Sequence, residues 1–206
     1  MKLLFATKNP AKVKRYKDRL EKHGIDVLTL SDIDVDVDVE ENGENAIENA
    51  YIKAKAYYDK TGIVTIGIDD TLYIEEVTDE EQPGTNVRRV GGKRLTDEEM
   101  IDYYTSLAHK YGGKLTSKWV YGMVMYDGKP HEFSWSKECF YIIDKASDKH
   151  NPGYPMDSIS KYIGTDKYFV DMTREEKEEF SKNHGDEELI DFIIDNLKRE
   201  EQIEEE

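Results

Sequence analysis

Residues 44–60 carry Ile47, Ala50, Tyr51, Ala54 and Tyr58 at helical spacing, and a β-branched run, 63–68, follows almost at once. A helix with one apolar stripe that feeds a strand apolar on both faces points to layers of helix and sheet around a shared core. Asn45 suits the N-cap of that helix and Gly62 its exit. The strand run ends in Asp69-Asp70, which reads as a strand end carrying two carboxylates.

The N-terminus repeats the alternation in the opposite order. Residues 3–6 are apolar, Thr7-Lys8-Asn9-Pro10 form a loop, and an amphipathic stretch over 11–23 ends at Gly24. Proline suits the first turn of a helix and glycine its exit, so the loop at 7–9 sits beside a positive helix N-terminus and can hold phosphate.

Further along, residues 32–39 alternate Asp with Ile or Val, which predicts a strand or an extended edge with one face of carboxylates. A calcium loop is excluded there, because Val37 stands where that motif needs Gly and Gly43 where it needs Glu. Residues 78–92 are polar and rich in breakers and read as a long loop. A helix over 96–111 opens on a Thr96-to-Glu99 capping box and closes at Gly112-Gly113. Segments 117–126 and 132–143 flank Asp127-Gly128, a hairpin signal. Residues 145–155 are irregular, and 168–170 form a brief apolar piece. A second capping box, Thr173 to Glu176, opens a helix to 181, and an amphipathic helix occupies 186–198.

Early strand–helix alternation followed by a hairpin gives an α/β class with a mixed sheet. Residues 1–198 are expected to form a single two-lobed domain, and 199–206 a charged, frayed tail.

Composition limits the partners. The chain has 206 residues, with 45 Asp plus Glu against 29 Lys plus Arg, for a formal charge of −16. Nucleic acid is disfavoured as a partner, because a polyanion needs clustered cations, whereas a nucleotide needs only a few local ones and a divalent metal. The one cysteine, Cys139, has no internal disulfide partner, and the five histidines lack zinc spacing. No apolar run approaches the ~20 residues of a bilayer span, and no signal-peptide layout precedes residue 3. A cytoplasmic protein without a membrane partner is expected.

Three pieces together suggest chemistry: the loop with Thr7, Asn9 and Lys12; Glu41 just before the 44–60 helix and Lys53 within it; and Asp69-Asp70. Taken singly, each has a plainer reading as a turn, a solvated lysine or helix-terminal charge. Taken jointly, they are the parts of a magnesium-dependent phosphate-transfer or hydrolysis site, because ligands gather at strand carboxyl ends and Mg2+ prefers carboxylate oxygen.

The order of these motifs is similar to that of a known family. Ala6-Thr7-Lys8-Asn9-Pro10-Ala11-Lys12, Glu40-Glu41-Asn42-Gly43, Ile47-Glu48-Asn49-Ala50-Tyr51-Ile52-Lys53-Ala54 and Ile68-Asp69-Asp70 resemble successive blocks of the inosine triphosphate pyrophosphatase family. Pro83-Gly84 with Arg89, and the run from Asp171 to Lys177, resemble later blocks.

The resemblance implies an elongated α/β fold, with a mixed sheet flanked by helices and two lobes around a central cleft. It also implies a homodimer that hydrolyses purine nucleoside triphosphates such as ITP, dITP and XTP to monophosphate and pyrophosphate with Mg2+. On that footing Thr7, Asn9 and Lys12 hold the phosphates, Lys53 neutralises their charge, and Glu41 and Asp70 bind the metal. Asp70, with Asp69 beside it, orients or deprotonates the attacking water.

The chain departs from the pattern in places. Asp69-Asp70-Thr71-Leu72 replaces an Asp-Asp-Ser-Gly turn, which predicts a changed loop after Asp70. Asn151-Pro152-Gly153-Tyr154-Pro155 stands where the family has Gly-Phe-Gly-Tyr-Asp, and Ser181-Lys182-Asn183 where it has Ser-His-Arg. Tyr154, Asp157, Lys177, Lys182 and Asn183 are therefore the candidate substitutes for base recognition. A pyrophosphatase with a changed base preference, a non-catalytic nucleotide-binding protein on the same scaffold and an acidic interaction module are the other readings.

Overall fold

The computed structural model describes residues 1–35, 37–180 and 186–204. They divide into two units, the first comprising Met1–Asp70, Tyr121–Trp135 and Gly185–Glu206 and the second Thr71–Val120 and Ser136–His184.

The first unit begins with β1 (Lys2–Phe5), α1 (Pro10–Glu21), β2 (Asp26–Thr29), α2 (Ala46–Thr61) and β3 (Thr65–Ile74). Strand β1 pairs in parallel with both β2 and β3, with Leu3 opposite Val27 and Leu4 opposite Thr65. Parallel neighbours have to be joined by crossovers, which α1 and α2 supply. Leu3, Leu4 and Phe5 are buried because both faces of β1 are covered. On one face, α1 contributes Val13, Tyr16 and Leu20 to a core that includes Phe5, Ile66 and Ile68. Helix α2 starts at the Asn45 cap, whose side chain accepts the Glu48 N–H, and ends at Gly62 in the left-handed region (φ 66°), as the spacing predicts.

The second unit holds the outer part of β3 and a small hairpin of β4 (Arg89–Val90) and β5 (Lys93–Arg94), which turns on Gly91-Gly92 inside the segment expected to be a plain loop. Next come α3 (Asp97–Lys110), with the Thr96–Glu99 capping box formed, and β6 (Lys114–Tyr126), which passes into the first unit at Tyr121. Strands β7 (Pro130–Ser136), β8 (Phe140–Ile143) and β9 (Ser160–Tyr162) follow, then α4 (Arg174–Phe180) and α5 (Asp186–Glu204). The second unit's core gathers Leu72, Ile74, Met100, Tyr104, Leu115, Phe140 and Ile142. The main sheet has seven strands in the order β2-β1-β3-β6-β8-β9, with β7 also on β6. The fold is mixed α/β, since β1 pairs in parallel with its neighbours while β8 is antiparallel to β6 and β9.

Four expectations are corrected. Asp69-Asp70 do not end a strand and no loop follows them. Strand β3 runs on to Ile74, because Leu72 exchanges backbone bonds with Gly84 (3.0 and 3.2 Å), Thr71 Oγ1 donates to the Val120 carbonyl (3.0 Å), and Leu72 and Ile74 are buried. The described part of 32–39 is not a strand. The Asp32 carboxylate instead accepts from the Thr29 N–H and hydroxyl, both at 2.7 Å, and turns the chain. Asp36 lies outside the described residues. The expected strand over 132–143 is two strands, β7 and β8, both on β6. Helix α5 continues through Glu204, so residues 199–204 are helical.

Candidate active site

The site is built on α2. On this helix Ala46, Ala50 and Ala54 fall on one buried stripe with Asn49 and Lys53. The sheet beneath offers glycines at the two closest approaches. A Cβ on Gly67 of β3 would lie 2.0 Å from the Ala50 carbonyl oxygen, and one on Gly122 of β6 would lie 2.6 Å from the Ala46 backbone. Small residues on both partners let the helix sit low on the strands, which brings the polar members of its stripe within reach of β3.

Lys53 is buried and its Nζ bonds Glu41 Oε2 at 2.9 Å and Asp69 Oδ1 at 3.2 Å. Asn49, 2% exposed, donates from Nδ2 to Asp69 Oδ2 (3.0 Å) and accepts the Gly43 N–H on Oδ1 (2.8 Å). Both Asp69 oxygens are therefore engaged, and the segment carrying Glu41 is tied to α2 at Gly43. Glycine is required at that tie, since a Cβ there would come within 2.7 Å of Asn49 Oδ1. Asn49 has no role in the reading from sequence. The available signal is an amide on an otherwise apolar helix stripe, which burial tolerates only when it is bonded.

Asp70 pairs with Lys12 of α1. Its Oδ1 is buried and faces the Lys12 ammonium as an ion pair, without the alignment of a hydrogen bond. The loop before α1 is braced by the Thr7 hydroxyl, which accepts the Asn9 N–H (3.1 Å), and by the Asn9 carbonyl, which accepts the Lys12 N–H (3.1 Å). Thr7, Lys8, Glu41, Lys53 and Tyr57 line one cavity of about 180 Å3. A larger one of about 730 Å3 shares Thr7, Lys8, Leu30 and Tyr57 with it, but lacks Glu41 and Lys53. The smaller cavity is the candidate site, because Glu41 and Lys53 line it together with Thr7; Asn9, Lys12, Asp69 and Asp70 are not among the residues lining either cavity, and Asp69 joins the smaller one through its bond to Lys53.

The oxygens of Glu41 and Asp70 are hard donors suited to a divalent cation such as Mg2+; Asp70 Oδ1 is buried, makes no aligned hydrogen bond and already meets one cation, the Lys12 ammonium, so it is an atom that a divalent ion could take over. Among the described residues no three Asp, Glu, His or Cys side chains form a ready-made metal cage. An ion held here would complete its shell with water and substrate oxygens, as Mg2+ commonly does.

In the second unit, Tyr154 is 46% exposed. The Gly153 N–H before it donates to Asp97 Oδ2 (2.7 Å), and Arg88 bonds the other Asp97 oxygen at 2.7 Å. Those two bonds, the Arg88 one foremost, hold the Asp97 carboxyl below the usual aspartate range. Lys177 lies 3.6 Å from Asp157 Oδ2, which also accepts from Asn151 (3.2 Å), so Lys177, Asp157 and the 151–154 loop form one connected group. Lys182 and Asn183 lie outside the described residues.

The family model for the Ham1 family matches residues 3–184. The chain belongs to the Ham1 family. Relatives include a dITP/XTP pyrophosphatase of Leptospira interrogans, 30% identical over 194 residues that cover 93% of this chain and 96% of the relative. The Aquifex aeolicus dITP/XTP pyrophosphatase is 30% identical over 88% of this chain and 90% of its own. With the Thermoanaerobacter enzyme of the same name, the match (31%) is confined to 99 residues, about half of each chain. Among solved structures, a HAM1 protein from Coxiella burnetii superposes with a TM-score of 0.77 at 21% identity, covering 95% of this chain and 99% of that one. The Staphylococcus aureus Ham1 protein gives 0.73 at 23%, covering 95% and 100%. These structures share the Ham1 fold with this chain. No helix among the described residues is long and apolar enough to cross a membrane.

Proposed function

We propose that this Ham1-family chain hydrolyses nucleoside triphosphates between the α- and β-phosphates, releasing monophosphate and pyrophosphate, and that purine triphosphates of the ITP, dITP and XTP type are its substrates. The observation that carries the reading is Lys53 held between Glu41 and Asp69 beside the Thr7 loop, in a chain whose full-length relatives are named dITP/XTP pyrophosphatases.

The residues divide the work by charge. Thr7, Asn9 and Lys12 bind and orient the phosphates, and Lys53 neutralises negative charge that grows on the non-bridging oxygens. Asp70 accepts a proton from, or aligns, the attacking water, and Asp69 holds Lys53 in place. Glu41 and Asp70 would hold Mg2+, which when bound adds charge neutralisation on the phosphates. No side-chain nucleophile is needed. Base reading falls to Tyr154, as a stacking ring, and to Lys177, Lys182 and Asn183 as polar contacts. Since Lys182 and Asn183, and the Asn151-Pro152 and Pro155 positions around Tyr154, differ from the pattern the chain otherwise resembles, the base preferred among purines is set there. The protein works in the cytoplasm as a homodimer.

Two measurements test this. Pyrophosphate and orthophosphate release are compared over ITP, XTP, dUTP and the standard triphosphates, with and without Mg2+. Magnesium-dependent pyrophosphate release from ITP or XTP is expected, and no pyrophosphate from any nucleotide would end the proposal. Asp70→Asn should lower kcat at least about a hundredfold while the protein stays folded; full activity in that variant would remove Asp70 from the chemistry.

A further inference from the structure

The carboxylates a divalent cation would use are matched in this structure by the lysines assigned to phosphate. The Lys12 ammonium pairs with Asp70, and the Lys53 ammonium bonds Glu41 (2.9 Å) and Asp69 (3.2 Å). Lys12 (22% exposed) and Asp70 (30%) are both partly buried, so that pair is less screened than an ordinary surface pair, whereas the Lys53–Glu41 pair joins a buried lysine (11%) to an exposed carboxylate (46%) and is more screened. A divalent ion arriving alone would compete with an ammonium for each carboxylate. A triphosphate arriving alone would compete with a carboxylate for each ammonium.

We propose that Lys12 and Lys53 are internal counter-ions, which shield Asp70 and Glu41 until a nucleoside triphosphate draws the ammoniums onto its phosphates. Nucleotide and divalent cation then bind with positive coupling, each uncovering the other's ligands, and by linkage the factor is the same in both directions. Lysine suits the exchange, because its ammonium is a point charge on a flexible stem that can swing between partners. When Lys53 leaves, Asp69 gives up one partner on Oδ1 and keeps the other, because Asn49 holds its Oδ2. The inference rests on the pyrophosphatase reading for the identity of its two ligands, but the ion pairs themselves do not depend on it.

The test is a double-mutant cycle on nucleotide-free protein, with free Mn2+ followed by electron paramagnetic resonance and no turnover measured. Lys12→Gln should bind Mn2+ about tenfold more tightly than wild type, within the usual range of coupling between sites. In an Asp70→Asn background the same substitution should give no gain, because there is no carboxylate left to uncover. Unchanged affinity in Lys12→Gln overturns the proposal. So does a gain that survives Asp70→Asn, since that would be general relief of positive charge. If a Lys12 variant fails to fold, a parallel cycle sets Lys53→Gln against Glu41→Gln combined with Asp69→Asn, which removes both carboxylates that Lys53 meets, and carries the same two outcomes. A protein that passes the cycle yet releases no pyrophosphate would sink the proposed function and leave the exchange standing.

Discussion

Asn49 shows how one buried amide can organise a site that otherwise consists of charges. Its two ends serve different segments, the Gly43 N–H on one side and Asp69 Oδ2 on the other. Asn49→Leu keeps the branched shape, though with bulkier ends, and removes both bonds, leaving a backbone donor and a carboxylate oxygen each short of a partner; the expected cost is about 1–3 kcal/mol. Turnover should fall as well, because Asp69 and the segment bearing Glu41 lose their common anchor. Asn45→Ala, which removes only the α2 cap, should cost a similar ~1 kcal/mol and leave kcat unchanged. Urea unfolding and steady-state kinetics on both variants separate the two effects, and equal kcat losses would deny Asn49 any positioning role. At this scale the sequence picked out the charged residues but not their partners: Glu41 and Asp70 were expected together as metal ligands, whereas Glu41 and Asp69 share Lys53 and Asp70 pairs with Lys12. Asn49 was not legible, because its role depends on which face of α2 lands on β3, and only packing decides that.

Among the elements, α2 was the easiest to read, with its cap, apolar stripe and glycine exit all in place. Of the two readings of 32–39, the strand fails, because period-two alternation supplies no pairing partner by itself: Asp32 closes a local turn and among the described residues of the segment no ladder forms. Strand β3 was cut short because two aspartates outweighed the Leu72–Ile74 alternation that follows them. The contact between α2 and the sheet is the element-level feature on which the site depends. Gly67→Ala would force a Cβ to 2.0 Å from a backbone oxygen of Ala50, and a backbone cannot yield as a flexible side chain does. The helix must lift, carrying Asn49 and Lys53 away from Asp69. Overpacking of this kind costs about 1–3 kcal/mol, which for a chain of this size is a Tm loss of roughly 2–12 °C. The activity loss should exceed what the stability loss explains, and wild-type kcat at 25 °C in Gly67→Ala would show that the close approach does not position the site.

At the scale of the whole molecule, the charge of −16 and the paired carboxylates pull stability in opposite directions as pH falls. Lowering the pH from 7 toward 5 relieves self-repulsion as ordinary carboxylates begin to protonate. The paired carboxylates resist protonation. Asp97 is held low by Arg88 and the Gly153 N–H, Asp171 by Lys149 and Glu176 by Lys167. A carboxyl whose folded pKa is lowered contributes stability that is fully present above its unfolded value, about 4, and is lost as pH falls through the lower folded value. Stability should therefore hold or rise down to about pH 5 and then fall steeply below about pH 4. Asp97→Asn removes one of these groups, so its urea midpoint should lie below wild type at pH 7 and converge with it near pH 3. Midpoints measured from pH 3 to 8 decide the matter: curves that stay parallel to the acid end would mean that the Arg88–Asp97–Gly153 link contributes nothing through its charge. Convergence would tie the 151–154 loop, and with it Tyr154, to an electrostatic anchor within the second unit.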